Sequence, residues 1–190
     1  VSRGLGDVYK RQNADMVYEF ASTSKITFPG AGVAVMAASE ANLKYLSGLL
    51  GAQTISYDKV NQLRHVRFLQ DKAHVLELMQ RHAAILRPKF EAVLAALRGI
   101  APLNIASWTE PKGGYFVSCD AMPGTAKRTL ALCAGAGVTM TPAGATYPGG
   151  NDPADSNIRI APSFPPVEEL EQAMQIFCLA LRMAALEKLG

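Results

Sequence analysis

Ser22-Thr23-Ser24-Lys25 sets a lysine between small hydroxyl residues, and Phe28-Pro29-Gly30-Ala31-Gly32-Val33 follows as a glycine-rich loop. A lysine partly withdrawn from water at a strand end has its ammonium form disfavoured and its neutral amine made available. A neutral amine attacks carbonyls. The chemistry suggested is therefore a Schiff base between Lys25 and an aldehyde, with the Ser22 and Ser24 hydroxyls and the loop amides free to hold an anionic group beside it. The plain alternative is a solvated loop lysine, which is what most lysines are.

Ser22-x-x-Lys25 also fits the S-x-x-K signature of penicillin-binding proteins and serine β-lactamases, with Lys112-Gly113-Gly114 standing for their K-T-G. That signature opens a long helix. Here Pro29, Gly30 and Gly32 follow too soon for one, and no S-D-N lies between the two motifs.

The elements that must position this lysine can be read from the hydrophobic pattern. Val17 to Ala21 and Val33 to Ala38 read as short buried strands on either side of the loop. Ser39 is placed to N-cap a helix over residues 39–46, after which Gly48 and Gly51 loosen the chain. From about Asp58 the apolar residues Leu69, Ala73, Leu76, Met79, Ala83, Leu86, Phe90, Leu94 and Leu97 fall at steps of three and four, one stripe on a long helix. Pro88 should bend that helix unless one ends there and another begins. His74 and His82 are eight residues apart rather than the four of a metal-binding pair on one helical face, and read as solvated or capping. Beyond Gly99 short strands are expected at Asn104 to Trp108, Tyr115 to Cys119, Val138 to Thr141 and Asn157 to Ala161. A helix from Ala126 to Ala136, capped by Thr125, interrupts them, and a last amphipathic helix runs from about Val167 to Lys188 after Pro165-Pro166. The expected unit is a small α+β sandwich, a mostly antiparallel sheet covered on one face by helices.

Composition bounds the partners. The chain has 190 residues, 49% of them hydrophobic, and a net charge of +3 with no basic cluster, which points to no nucleic acid and no membrane. No apolar run approaches membrane-spanning length. Cys119, Cys133 and Cys178 lack C-x-x-C spacing, so neither a disulfide framework nor a metal site is indicated and a cytoplasmic setting fits. Residues 1–12 have no period and resemble translated adapter sequence, so they are set aside as non-native, and the remainder reads as a fragment.

Three separated motifs, Ser22-Thr23-Ser24-Lys25, Pro111-Lys112-Gly113-Gly114-Tyr115-Phe116 and Asn157-Ile158-Arg159-Ile160-Ala161-Pro162, together resemble the pyridoxal-phosphate aminotransferases of fold type I. Ser24 to Val33 with Asp58-Lys59-Val60-Asn61-Gln62-Leu63-Arg64-His65 is most similar to bacterial aspartate aminotransferases of type Ic. The match runs from about Asn13 to the C-terminus. The resemblance implies an α/β fold, the C-terminal part of a fold type I transferase. Residues 13–57 would end the cofactor-binding large domain, 58–98 form a long interdomain helix region, and 99–190 the small α+β domain. It further implies that Lys25 forms the internal aldimine with pyridoxal 5'-phosphate and shuttles the substrate proton. Ser22, with Ser24 the weaker candidate, would hold the phosphate, and Arg159 would bind the substrate α-carboxylate. The implied reaction moves an amino group from L-aspartate or a similar amino acid to a 2-oxo acid, 2-oxoglutarate, in a homodimer when complete. Many relatives place a second phosphate-binding arginine where this chain has Val33. The residues used upstream of the lysine, including the aspartate opposite the ring nitrogen, are absent, so the chain alone is expected to be inactive or nearly so. Lys59 and Arg64 lie where relatives place a second cation for a dicarboxylate, or are surface charges. The alternative function is an aminotransferase-like cofactor-sensing domain of a transcription regulator.

Overall fold

The computed structural model describes residues 13–190; the expectation about residues 1–12 falls outside them. The chain divides into two compact units, one ending at Gln80 and one running from Arg81 to Gly190.

The first unit is built on a two-stranded antiparallel ladder, β1 (Glu19–Ser22) with β2 (Ala34–Ala37), in the register Phe20 to Met36 and Ser22 to Ala34. Both strands occur where the apolar runs predict them, but neither is buried: Phe20 is 75% and Val35 62% exposed. An apolar run specifies a strand by its propensity, whereas burial needs a partner layer. Helix α1 (Glu40–Gln53) begins at Ser39, whose hydroxyl accepts the Asn42 N–H, as expected. It then continues through Gly48 and Gly51 instead of loosening there. Each glycine costs about 1 kcal/mol against alanine, and the surrounding leucines and alanines outweigh that.

Helix α2 (Lys59–Leu69) is capped by Asp58, which accepts the Asn61 N–H at 2.8 Å. The single long stripe is in fact two helices. The break lies at Gln70, whose φ of 53° stops α2, and Asp71 then caps α3 (Lys72–Ile100) by accepting the His74 N–H. No break occurs at Pro88, which stays inside α3. Its ring removes one hydrogen bond from the ladder, and the rest of a 29-residue helix carries on around it. His74 bonds the capping Asp71 carboxylate through Nδ1 at 2.9 Å and is exposed, in line with the solvated reading rather than a capping one.

In the second unit β3 (Ala106–Trp108), β4 (Val117–Ala121) and β5 (Asn157–Ile160) form a three-stranded antiparallel sheet in that order. Val117, Cys119 and Ala121 alternate inward beside Ile160 and Ile158, and join Val93 and Leu97 of α3 in one core. The remaining layer comes from α4 (Ala126–Gly135) and α5 (Val167–Leu189), the latter contributing Leu170, Met174, Phe177 and Leu181. Ser118, Asp120, Asn157 and Arg159 alternate onto the opposite, polar face. Asn157 ties that face together, its amide donating to Ser118 Oγ and to Asp120 Oδ1.

Two expectations fail here. Val138 to Thr141 is not a strand, because the Val138 N–H donates to Cys133 O and closes α4. Thr125 does not cap α4 through its side chain; its hydroxyl donates to Met122 O, and Asp155 receives the Lys127 N–H instead. Burial pushes the Cys119 thiol up to about 12, so it is not a nucleophile at neutral pH.

Asp152 sets the start of β5. Its carboxylate accepts the N–H groups of Ala154, Ser156 and Asn157 at 2.8 to 2.9 Å. These bonds, the one from Asn157 first, hold its pKa below the usual value. The stability it contributes is therefore complete above the unfolded carboxyl value of about 3.9 and is lost as pH falls through the lower folded value. Asp152→Asn should flatten the fall of the urea midpoint between about pH 4 and the acid limit. Equal slopes for both proteins would refute this.

Candidate functional site

The connection between β1 and β2 is closed by backbone bonds. Thr23 N–H donates to Val33 O at 2.9 Å, Val33 N–H donates to Thr23 Oγ1 at 2.9 Å, and Ile26 and Thr27 both donate to Thr23 O at 3.0 Å. Lys25 rides on this turn, which does not become a helix, as the proline and glycines require. It is exposed, so burial among the described residues does not withdraw it from water as expected.

Ser22 and Ser24 stand together beside it. Their hydroxyl oxygens are 2.5 Å apart and Ser24 N–H donates to Ser22 Oγ at 3.0 Å, both side chains being exposed. Gly32 makes room for them, since a Cβ there would lie 2.6 Å from Ser24 Oγ and 3.1 Å from Ser24 Cα. Two hydroxyls and a primary amine on one turn suit a ligand that has both an anionic group and an aldehyde. The residues present thus fit a phosphorylated aldehyde such as pyridoxal phosphate.

Helix α2 packs against this turn through one stripe, Asn61, Arg64, His65 and Phe68. Asn61 donates from Nδ2 to Ala31 O at 2.9 Å, and the Arg64 guanidinium lies 4.4 Å from the Phe28 ring centroid. Phe68 packs on the same ring at 4.9 Å. Arg64 also donates to Asn61 Oδ1 at 2.7 Å, so in this chain it braces the loop. His65 is 5% exposed, with Nδ1 2.9 Å from Asn61 O and Nε2 2.9 Å from Thr27 Oγ1 and 3.2 Å from Thr23 Oγ1. Sequence reasoning missed this residue. The spacing 61, 64, 65, 68 is a helical face that could have pointed to it.

In the second unit Arg159 pairs in register with Ser118 on the polar face, its guanidinium 4.6 Å from the Phe116 ring centroid. Its Nε is buried with no hydrogen-bond partner among the described residues. A buried guanidinium nitrogen left so is costly, and the acceptor it suits best is a carboxylate.

A family model described as aspartate amino-transferase matches residues 8–190. The chain belongs to that family. An aspartate aminotransferase of Corynebacterium glutamicum is 45% identical over 97% of this chain and 42% of its own length. A protein of Mycolicibacterium smegmatis is 49% identical over 98% of this chain and 43% of its length. The crystal structure of an aspartate transaminase from Corynebacterium glutamicum superposes with a TM-score of 0.88 over 91% of this chain and 41% of that one, at 45% identity. The α-aminoadipate aminotransferase LysN from Thermus thermophilus, 21% identical with a TM-score of 0.76, shares the fold. The architecture is that of the fold type I aminotransferases, and this aspartate aminotransferase-like chain spans less than half the length of its curated relatives. Among the described residues no helix is long and apolar enough to cross a membrane.

Proposed function

We propose that the complete protein transfers an amino group from L-aspartate or a similar amino acid to 2-oxoglutarate, with pyridoxal phosphate held at the Lys25 turn. The observation that carries this is the turn itself, which sets Lys25 next in sequence to the paired Ser22 and Ser24 hydroxyls, with Gly32 letting Ser24 approach, in a chain of aminotransferase ancestry. Bound there, the cofactor would supply an aldehyde for amines and an electron-poor ring to draw electrons from the substrate α-carbon.

Each residue has a matching task. Lys25 Nζ would be the amine that holds the cofactor through its aldehyde and, when free, would carry the substrate α-proton. Ser22 Oγ, assisted by Ser24, donates to the phosphate. Arg159 would grip the α-carboxylate with its planar fork, occupying the donor that lacks a partner among the described residues. In this reading residues 13–57 end the cofactor domain, 58–98 join the domains and 99–190 form the small domain of a cytoplasmic homodimer. The relatives' remaining length would supply the pyridine contacts, so the isolated chain should turn over little or no substrate. Nothing observed favours a cofactor-sensing regulatory domain. The test is to reduce a mixture of chain and pyridoxal phosphate with borohydride and locate the label, expected on Lys25.

A further inference from the structure

We propose that His65 is a positioning residue that fastens the Lys25 turn to helix α2. The inference rests on the reading of Lys25 as the cofactor lysine, and its geometry lies wholly in the first unit.

His65 is the one buried side chain among the described residues of that unit. Apolar burial does not explain this, since the more apolar neighbours Val66 and Phe68 stay 65% and 44% exposed. Both ring nitrogens are in use. Nδ1 faces Asn61 O, a pure acceptor, and therefore carries a proton. In the neutral ring Nε2 is then an acceptor facing two threonine hydroxyls. Thr23 Oγ1 already accepts the Val33 N–H, which leaves its own proton for Nε2. Thr27 Oγ1 has one proton and lies 3.0 Å from Thr23 O and 2.9 Å from Nε2, so it donates to one of the two at a time.

Thr23 and Thr27 stand two residues before and two after Lys25. One imidazole nitrogen thus faces hydroxyls from both ends of the turn, and the Nδ1 bond to Asn61 O fixes the ring on α2. Phe28 closes the arrangement edge-on, 5.4 Å from the imidazole with 83° between planes. A ring without nitrogens could fill the space but could not hold the turn.

The test uses the 190-residue chain with His65→Phe, His65→Gln and Thr27→Val. Phenylalanine keeps a ring against Phe28, and glutamine returns a polar group near the Nε2 position. Thr27→Val removes a turn-side partner without touching α2. Amide hydrogen exchange, without cofactor, reads the N–H groups of Ile26, Thr27 and Val33. We expect exchange there to rise about tenfold in His65→Phe and Thr27→Val, the effect of one lost hydrogen bond, and to return most of the way in His65→Gln. The share of borohydride-trapped label on Lys25 should follow the same order.

Unchanged exchange at these three amides in His65→Phe would overturn the proposal. So would glutamine behaving as phenylalanine does, including the case where both melt the unit while Thr27→Val leaves the turn unaltered. If exchange responds as expected but wild type never carries label on Lys25, the cofactor reading fails and the His65 fastening stands.

Discussion

Phe177→Ala is expected to destabilise the Arg81–Gly190 unit by about 3–5 kcal/mol, the usual cost of emptying a fully buried phenylalanine site. Phe177 is 0% exposed and belongs to the cluster that joins α3, the sheet and α5, where Leu97, Ile158 and Leu181 are also buried. Native domains are stable by only about 5–15 kcal/mol, so this loss would consume a large part of the total. Urea unfolding should show the midpoint falling with the slope unchanged. Phe164→Ala is the matched control: that ring is 96% exposed, and its removal should change stability by about 0.5 kcal/mol or less. Similar shifts for the two variants would mean that the core is not where the structure puts it.

Arg159→Leu should behave in the opposite way, sparing the fold and removing binding. The buried Nε has no partner among the described residues, so the wild-type fold gains little from it beyond the stacking on Phe116. What disappears is the charge-assisted pair that Arg159 would make with a substrate carboxylate, worth about 1.5–3 kcal/mol. In the complete holoenzyme the apparent affinity for L-aspartate should fall about ten- to a hundredfold, with the melting temperature within a few degrees of wild type. A variant that binds L-aspartate normally would remove Arg159 from the substrate site.

Much of this was readable from residue order because it depends on local physics. Ser39 caps a helix where a short acceptor precedes an apolar-periodic run, and the alternation in β4 and β5 separates Ile158 and Ile160 from Arg159. The misread parts depend on partners distant in sequence or on competing local bonds. Val138 to Thr141 has strand composition, but its first N–H is taken by the end of α4. Gln70 ends a helix in a left-handed conformation that glutamine rarely adopts, so no residue type announces the break. His65 looks like any helical histidine until Thr23 and Thr27, some forty residues earlier, come against it. Lys25 itself was found from its neighbours' chemistry, although its expected burial is not present within the chain.

The most direct test of the central claim is a peptide map of the chain after incubation with pyridoxal phosphate and reduction with borohydride, in wild type and Lys25→Ala. Label is expected to concentrate on Lys25 in wild type and to be lost in the variant, with other lysines labelled only at the background level of exposed amines. Label spread evenly over the lysines, or unchanged in Lys25→Ala, would contradict it and leave the turn without a cofactor role.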